Sequence, residues 1–482
     1  MEAFGWINIL VLMVYLTLMI GVGLRCAGRQ QGTEDYFLAG RRLPWLAVGM
    51  SMFASLTSAT TYMGVPAFAY QHNIAMLFGV MMSLVAAPIL IRWFYPVYRS
   101  RGVTTSYEYI LQRYGPGARY AVSTLFVLGR LGWLGIAIYA PAKALSVVSG
   151  LPLLLAIVTI GLLAVTYTIL GGLAAVIWTD VIQFVILVGG ALWLSGMLIV
   201  QVPGGITEIL TVARDNGKFA VWDWTDWSGL TAVSAMIGWF FFFLNDYGTD
   251  QVTVQRLLAV RSDRGVVKAV GFNAVNDLFI NGLLIFIGLG MAAYFQAFPQ
   301  RLSGDVETDG ILPYFIMHAL PPGVSGLMVT AIFAAAMSSV DSGINSLATV
   351  VVNDFVRPLW RRPLPSLQEM MLARWITVVL GVFATLTAVY AARIEGIVTM
   401  WMKVMGLFSA PVLAIFVLGL FTRRACFVGW LIGALGGMGL TLYLQYACKE
   451  QLMEIWYFPI SFLVTTVIGY LASLCCVPHG SE

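Results

Sequence analysis

Apolar runs of roughly 18 or more residues recur along this whole sequence, and runs of that length can cross a bilayer as α-helices. The composition agrees with this, because 10% of the 482 residues are charged whereas a soluble domain carries about 25%. The sequence therefore predicts an all-α polytopic membrane protein.

Thirteen candidate membrane-spanning segments can be counted. The longest loops between them have about 25 residues, which leaves no room for a separate soluble domain. The segments lie at roughly 5–25, 44–71, 74–96, 119–148, 151–169, 172–201, 228–258, 265–297, 322–353, 366–391, 395–421, 427–446 and 454–476.

The scarce residue types exclude several functional classes. The chain has three histidines, too few for the paired axial ligands of a multi-haem oxidoreductase. Its five cysteines show no metal-ligand spacing, and no basic block with interleaved aromatic residues indicates nucleic-acid binding. No metal or nucleophile constellation supports an enzyme, so we expect neither enzymatic activity nor an organic cofactor.

Basic residues are distributed unequally between alternate loops. Nineteen Lys and Arg residues, Arg256 among them, lie in or beside one set of loops, and five lie in the other set. Cytoplasmic loops carry the excess, so the N-terminus is expected outside and the C-terminus in the cytoplasm. The short loops and small size favour a bacterial plasma (inner) membrane.

Residues 330–346 place four serines and one carboxylate, Asp341, inside a long apolar run. On a helix, three of these serines share one face with Ala335. Oxygen ligands without nitrogen or sulfur suit a hard cation, and a carboxylate at membrane depth indicates a functional site. The alternative is a seam of small residues that lets helices approach closely, which explains the alanines better than it explains Asp341.

Two polar interruptions indicate broken helices. Residues 51–61 are rich in Ser and Thr and are followed by Gly64 and Pro66, and a second interruption is Asn245–Gly248. Interruptions at corresponding positions of two inverted repeats mark the binding sites of many transporters, and the segments permit two inverted groups of five. The alternative for 51–61 is an intact helix whose hydroxyls bond to its own backbone.

Other charges also lie at membrane depth. Asp180 is either a functional group or an interfacial carboxylate. Arg130 and Lys143 are separated by roughly 20 Å along a helix, so one small ligand is not expected to contact both; each pairs with an anion or reaches towards the headgroups. Asp277 and Lys403, near segment ends, are assigned to headgroup or loop contacts.

Four segments resemble the sodium:solute symporter family. Residues 167–183 are similar to its glycine-pair signature, and 138–145 resemble the third core helix of the branch that carries monocarboxylates, biotin, iodide and sialic acid. Residues 247–256 and 406–414 resemble the sixth and tenth core helices. The resemblance extends over essentially the whole chain and implies the leucine-transporter fold, a 5+5 inverted repeat.

The resemblance also implies a main sodium site. Its oxygens are the carbonyls of Ala54, Thr57 and Ala335 and the hydroxyls of Ser338 and Ser339. Such neutral oxygens suit a monovalent hard ion and lack the carboxylates that Ca²⁺ usually takes.

Some family members have a second sodium site, which Asp180 and Ser342 match. The remaining position, usually a hydroxyl, is Asp341. Two nearby carboxylates can bind Na⁺ more strongly, share a proton or hold an arginine or lysine, and these alternatives stay open.

By the same resemblance, the substrate pocket lies between the breaks of the first and sixth core helices. Ser58 and Thr61 match hydroxyls that hold a carboxylate in the sialic-acid-carrying members. The other candidate substrate-binding residues are Phe68, Gln71, Arg130, Phe243 and Asn245.

Together these features predict Na⁺-coupled uptake of a small organic solute by alternating access, with a carboxylate such as a monocarboxylate or sialic acid favoured. The alternatives are Na⁺/sugar symport, proton-coupled transport through Asp180 and Asp341, and a membrane-embedded solute sensor. The expected partners are Na⁺, a small anionic solute and the lipid bilayer, but not nucleic acid.

The expected division of the chain follows from the repeats. It comprises an extra N-terminal helix and cytoplasmic loop (1–43), a first five-helix repeat (44–201), an extracellular loop (202–227), a second five-helix repeat (228–421) and two extra C-terminal helices (422–482).

Overall fold

The computed structural model of the chain describes residues 5–27, 33–302, 306, 310–360, 366–391 and 397–476. Within these residues, ten helices are long and apolar enough to cross a membrane. One isolated β-bridge, between Leu43 and Val260, is the only extended pairing in the described part of the chain. The expected all-α membrane class is therefore confirmed.

The helices follow one another with short connections. In chain order they are α1 (Trp6–Ala27), α2 (Thr33–Leu38), α3 (Trp45–Leu56), α4 (Ala59–Gln71), α5 (Ala75–Ile89), α6 (Ser106–Tyr114), α7 (Pro116–Ser149), α8 (Leu153–Gln201), α9 (Gly205–Asp215), α10 (Ala232–Gly248), α11 (Gln251–Leu258), α12 (Asp263–Ala297), α13 (Ile311–Ala319), α14 (Val324–Val350), α15 (Ser366–Ala391), α16 (Ile397–Val404), α17 (Ala410–Phe421), α18 (Phe427–Ala447) and α19 (Tyr457–Leu474).

Three of the thirteen predicted segments, 44–71, 151–169 and 228–258, are not among these ten membrane-length helices. The segments 44–71 and 228–258 are each divided in two, and 151–169 belongs to α8, whose path bends at Gly172 (φ 55°, ψ −166°). A positive φ of this kind is available to glycine without a steric penalty. The glycine pair thus ends one apolar segment and begins the next.

The first break lies between α3 and α4, as the hydroxyl-rich sequence predicts. Helix α3 ends at Leu56, and Ser58 has an extended backbone (φ −77°, ψ 170°) that cannot continue a helix. The Ser58 hydroxyl accepts a hydrogen bond from the Thr61 N–H (3.3 Å) and so caps α4. The hydroxyls that marked this stretch therefore help to build the break.

The second break lies between α10 and α11, directly after the predicted Asn245–Gly248 interruption. Asp250 has an extended backbone, and its carboxylate accepts a hydrogen bond from the Val252 N–H (2.8 Å). This is an N-cap, which satisfies a backbone donor that the start of α11 leaves free.

Helix α14 lies at the centre of the fold. Of its most apolar 18-residue stretch, 94% is buried, against 67% or less for the other membrane-length helices of the described residues. It packs against α1, α3, α7 and α8. Its small side chains permit this close approach, so the small-residue seam and the polar positions occur on the same helix. The functional and packing interpretations of 330–346 are therefore compatible.

Candidate functional site

Serine hydroxyls of α14 join that helix to the end of α3. The Ser338 hydroxyl donates a hydrogen bond to the Ala54 carbonyl (2.7 Å), and the Ser339 hydroxyl donates to the Ser55 carbonyl (2.8 Å). Both hydroxyls also lie near the Ala335 carbonyl, at 3.0 and 3.2 Å. All five residues are buried. Four of the five residues predicted for the main sodium site thus meet in one cluster.

Thr57, the fifth predicted residue, directly follows α3. Its backbone (φ −84°, ψ 85°) leaves the helical conformation, and the residue borders a cavity beside α4. Sequence reasoning missed Ser55, whose carbonyl shares the cluster. Neutral carbonyl and hydroxyl oxygens are suitable ligands for a hard monovalent cation, so these residues fit Na⁺.

A second polar cluster surrounds Asp180 on α8, beneath the same part of α3. Oδ2 of Asp180 accepts hydrogen bonds from the hydroxyls of Ser51 (2.6 Å) and Ser55 (3.0 Å). The Ser55 hydroxyl also lies 2.9 Å from that of Ser342. Two residues predicted for the second sodium site, Asp180 and Ser342, are therefore brought together with α3.

The guanidinium of Arg256, on α11, enters this second cluster. It contacts Asp180 Oδ2 at 3.1 Å, donates to the Ser51 hydroxyl at 2.8 Å and hydrogen-bonds the Ser342 hydroxyl. The residue is 1% exposed. Its inclusion among the loop cations was therefore wrong, because position near a segment end does not reveal where a long side chain points.

Asp341 lies beside the Asp180 cluster. Its Oδ1 accepts hydrogen bonds from the backbone N–H (2.6 Å) and the hydroxyl (3.2 Å) of Ser342. Asp180 Oδ1 and Asp341 Oδ2 are buried and accept no hydrogen bond from the described residues. Among the described residues Arg256 contacts Asp180 but not Asp341, so the alternative in which a carboxylate holds an arginine matches Asp180 alone.

A cavity lies between the start of α4 and helices α7, α10 and α12. Four of the predicted substrate-binding residues line it, namely Ser58, Thr61, Arg130 and Phe243. Arg130 is 7% exposed and is paired with the Asp250 carboxylate. The break before α4 therefore borders the cavity directly, and the cap of α11 is joined to the cavity wall through Arg130.

The other three predicted substrate-binding residues do not line this cavity. Phe68 borders a separate cavity beside the loop before α10, and Gln71 is exposed at the end of α4. They follow Thr61 by two to three helical turns, roughly 10–15 Å along the axis. Asn245 instead supports the second break, where its carbonyl accepts hydrogen bonds from the N–H groups of Thr249 (2.8 Å) and Asp250 (3.0 Å).

Sequence reasoning missed two carboxylates in the cavity wall, Asp246 and Asp277. The assignment of Asp277 to headgroup or loop contacts was wrong, because it accepts hydrogen bonds from the Tyr247 hydroxyl (3.0 Å) and the Asn281 amide (2.9 Å), both of which line the cavity. Asp246 lies within the Asn245–Gly248 interruption. Its position in this interruption and its charge could have identified Asp246 as a candidate site residue from the sequence.

Comparisons with known proteins agree with this geometry. The sequence pattern of the "Sodium:solute symporter family" matches residues 36–437. The chain is 33% identical over 480 residues to the sodium/sialic acid symporter NanT of Aliivibrio fischeri, covering 98% of this chain and 94% of the relative. It is 34% identical over 427 residues to the sodium/sialic acid symporter SiaT of Proteus mirabilis, covering 88% and 86%.

A solved structure is also similar over nearly the whole chain. It shows a Na⁺-coupled sialic acid symporter in a substrate-bound outward-open state, with a TM-score of 0.92 and 32% sequence identity. The similarity covers 98% of this chain and 99% of the solved chain.

Replacement of Ser339 tests the cluster between α3 and α14. Ser339→Ala removes one oxygen from the predicted ligand set and one hydrogen bond to the Ser55 carbonyl. We expect the Na⁺ concentration for half-maximal uptake to rise severalfold, since one such interaction contributes about 1 kcal/mol. Uptake into sealed vesicles, measured against Na⁺ at constant ionic strength, provides the test.

Ser346→Ala is the matched control for this variant. It also removes a buried hydroxyl of α14, but that hydroxyl bonds only to the Gly343 carbonyl of its own helix (2.9 Å). An unchanged Na⁺ dependence in Ser339→Ala, or an equal change in both variants, would contradict the assignment of the main sodium site.

Proposed function

The chain belongs to the sodium:solute symporter family, and we propose that it takes up a small organic carboxylate together with Na⁺. It is a Na⁺-coupled symporter that works by alternating access, and it is a transporter rather than an enzyme. The observation that carries the proposal is the buried cluster in which Ser338 and Ser339 of α14 reach the carbonyl oxygens at the end of α3.

This cluster supports a mechanism in which Na⁺ acts as a removable link. Na⁺ from outside binds Ala54, Thr57, Ala335, Ser338 and Ser339 and holds the break of α3 and α4 against α14. The solute then binds beside the ordered break, and the closed carrier opens inwards. Where cytoplasmic Na⁺ is low, the link is lost and the solute leaves.

The membrane potential adds to the driving force only when a cycle carries net charge inwards. Each elementary charge moved inwards contributes about 2.3 kcal/mol per 100 mV, so one net positive charge supports ~50-fold accumulation from 100 mV, since 1.4 kcal/mol corresponds to tenfold. One Na⁺ with one carboxylate anion carries no net charge, and the Na⁺ gradient then drives uptake alone.

At the second site we propose that Arg256 supplies the positive charge. Its guanidinium occupies Asp180 Oδ2 and the Ser342 hydroxyl, two oxygens of the predicted second sodium site. The chain therefore has a fixed cation at this site, with Asp341 beside it, and one Na⁺ accompanies each solute. An arginine tethered to α11 does not exchange with the solution, so the site serves to hold α3, α8, α11 and α14 together.

The start of α4 supports a carboxylate as the solute group. Ser58 and Thr61 place hydroxyls in the cavity, and the N-terminus of a helix attracts negative charge. The relatives described above are named as sialic acid symporters, and sialic acid carries a carboxylate. Sialic acid and shorter monocarboxylates are the first candidates.

The finer architecture is part of the proposal. We take the chain to have about thirteen membrane helices in a 5+5 inverted repeat, with the division at 44–201 and 228–421. The bias of basic residues supports an external N-terminus and a cytoplasmic C-terminus. The bacterial relatives support a bacterial inner membrane, with Na⁺, a solute and the lipid bilayer as the partners.

Uptake into sealed proteoliposomes tests the proposed function. With an inward Na⁺ gradient, we expect accumulation of N-acetylneuraminate or a short monocarboxylate such as propionate, and none of glucose. Replacing external Na⁺ with K⁺ at fixed pH should abolish the accumulation. Accumulation of glucose would favour a Na⁺/sugar symporter, uptake that survives in K⁺ would favour proton coupling, and solute binding without accumulation would favour a sensor.

The charge pair of Asp180 and Arg256 gives a separate prediction. Asp180→Asn leaves a buried guanidinium without its ion pair, which costs about 3–5 kcal/mol, so the variant should unfold at a clearly lower temperature. Asp180→Asn combined with Arg256→Gln removes both charges and should recover part of this loss. Thermal unfolding in detergent measures both effects.

The Na⁺ dependence of uptake by the wild-type chain completes this test. With Arg256 as a fixed cation, uptake should rise hyperbolically with Na⁺ concentration. A sigmoidal Na⁺ dependence that becomes hyperbolic in Asp180→Asn would show instead that a second Na⁺ binds at Asp180.

A further inference from the structure

Two carboxyl groups, from α10 and α12, form one part of the cavity wall. They are Asp246 and Asp277, and Asp246 is 8% exposed. The Asp246 carboxylate makes no hydrogen bond or ion pair with the described residues, whereas the Asp277 carboxylate accepts hydrogen bonds from Tyr247 and Asn281. A largely buried carboxylate without a partner is costly unless a cation or a donor completes it.

Arg130 does not balance these carboxylates. Its guanidinium is paired with Asp250, which also caps α11. Arg130, Asp250 and Asp277 are the ionisable residues around Asp246, one basic and two acidic. Acidic groups therefore outnumber basic groups in this part of the cavity, and a cationic nitrogen bound there would complete a charge pair that the described residues leave open.

The N-terminus of α4 borders the same cavity through Ser58 and Thr61, and it favours negative charge. These are the residues proposed above to hold a carboxylate. The two parts of the cavity wall thus have opposite charge preferences. A net anion such as a simple monocarboxylate satisfies only one of them.

Aromatic side chains line the same cavity. Trp133, Trp239 and Trp401 line the cavity together with Phe242 and Phe243, and the rings of Phe242 and Trp401 meet edge to face at 4.8 Å between centroids. Indole faces bind ammonium groups through cation–π attraction. The wall therefore suits a cationic nitrogen carrying apolar substituents as well as it suits an aliphatic chain.

We propose that the solute is a zwitterion, whose carboxylate binds at the start of α4 and whose cationic nitrogen binds at Asp246 and Asp277. This inference rests on the proposed function and narrows the small organic carboxylates to amino acids and betaines, which then replace sialic acid and simple monocarboxylates as the first candidates. Recognition is then divided between the two broken helices, because Ser58 and Thr61 belong to the first break and Asp246 to the second.

Pairs of solutes that differ only in the cationic nitrogen test the proposal directly. Glycine betaine and 3,3-dimethylbutyrate have the same shape and carboxylate, but the first has a quaternary nitrogen where the second has carbon. L-Proline and cyclopentanecarboxylate form a second pair. Each solute, the common amino acids and N-acetylneuraminate are added to the purified full chain in Na⁺ and in K⁺, and the shift in unfolding temperature is measured, since ligands of the folded state raise it.

We expect a Na⁺-dependent shift for at least one zwitterion and a much smaller one for its isostere with carbon in place of the nitrogen. If no zwitterion gives a Na⁺-dependent shift, the inference is overturned. If plain carboxylates or N-acetylneuraminate do give one in that case, the proposed uptake of a carboxylate survives; if no carboxylate of any kind does, both fail.

Asp246→Asn identifies the residue responsible. It should weaken binding of the responsive zwitterion by roughly 30-fold or more, as expected for loss of one partner of a buried charge pair, and leave binding of the plain isostere within a few-fold. Asp215→Asn, at an exposed carboxylate of α9, is the matched control. If Asp246→Asn instead raises the Na⁺ requirement and leaves the preference between isosteres unchanged, Asp246 serves a cation site and the inference is overturned.

Discussion

The fold depends on a few hydrogen bonds between α14 and the end of α3, where the first broken helix is interrupted. The Ala54 and Ser55 carbonyls lie where α3 ends, and the hydroxyls of Ser338 and Ser339 reach them. In a membrane, backbone groups freed by a break must be satisfied inside the protein. The same oxygens that satisfy the break are suitable ligands for Na⁺, so under the proposed assignment the stability of the break and the binding of the ion are coupled through one set of atoms.

The buried charges are arranged around this junction. Arg256 and Asp180 bind each other beneath α3, and Arg130 and Asp250 pair across α7 and the start of α11. In each case, a basic side chain is held by a carboxylate from another helix, which offsets much of the cost of placing the charge in a low-dielectric interior. The Asp246 and Asp277 carboxylates are the groups of the cavity that these pairs leave available to a solute.

Much of this arrangement could be predicted from the sequence, and the exceptions share a cause. Local chemistry revealed the break at 51–61, the interruption at Asn245–Gly248 and the face of α14, because each depends on neighbours in the chain. The contacts of the Arg256 side chain depend on how α11 packs against α3 and α8. The spacing of residues along one helix does not predict that packing. Phe68 and Gln71 were assigned to the pocket although they lie two to three turns past Thr61 on α4, because the sequence does not show where the cavity ends. Asp277 was assigned to a segment end although it lies well inside the predicted segment 265–297 and inside α12.

Hydrogen exchange of the backbone amides around the first break tests the central claim most directly. If Na⁺ links α3 and α4 to α14, amides of residues 55–61 should exchange more slowly in Na⁺ than in K⁺, whereas those of the distant pair α18 and α19 should not change. Ser339→Ala should reduce this protection. Equal exchange at 55–61 in Na⁺ and K⁺ would contradict the account, because the ion would then bind without ordering the break.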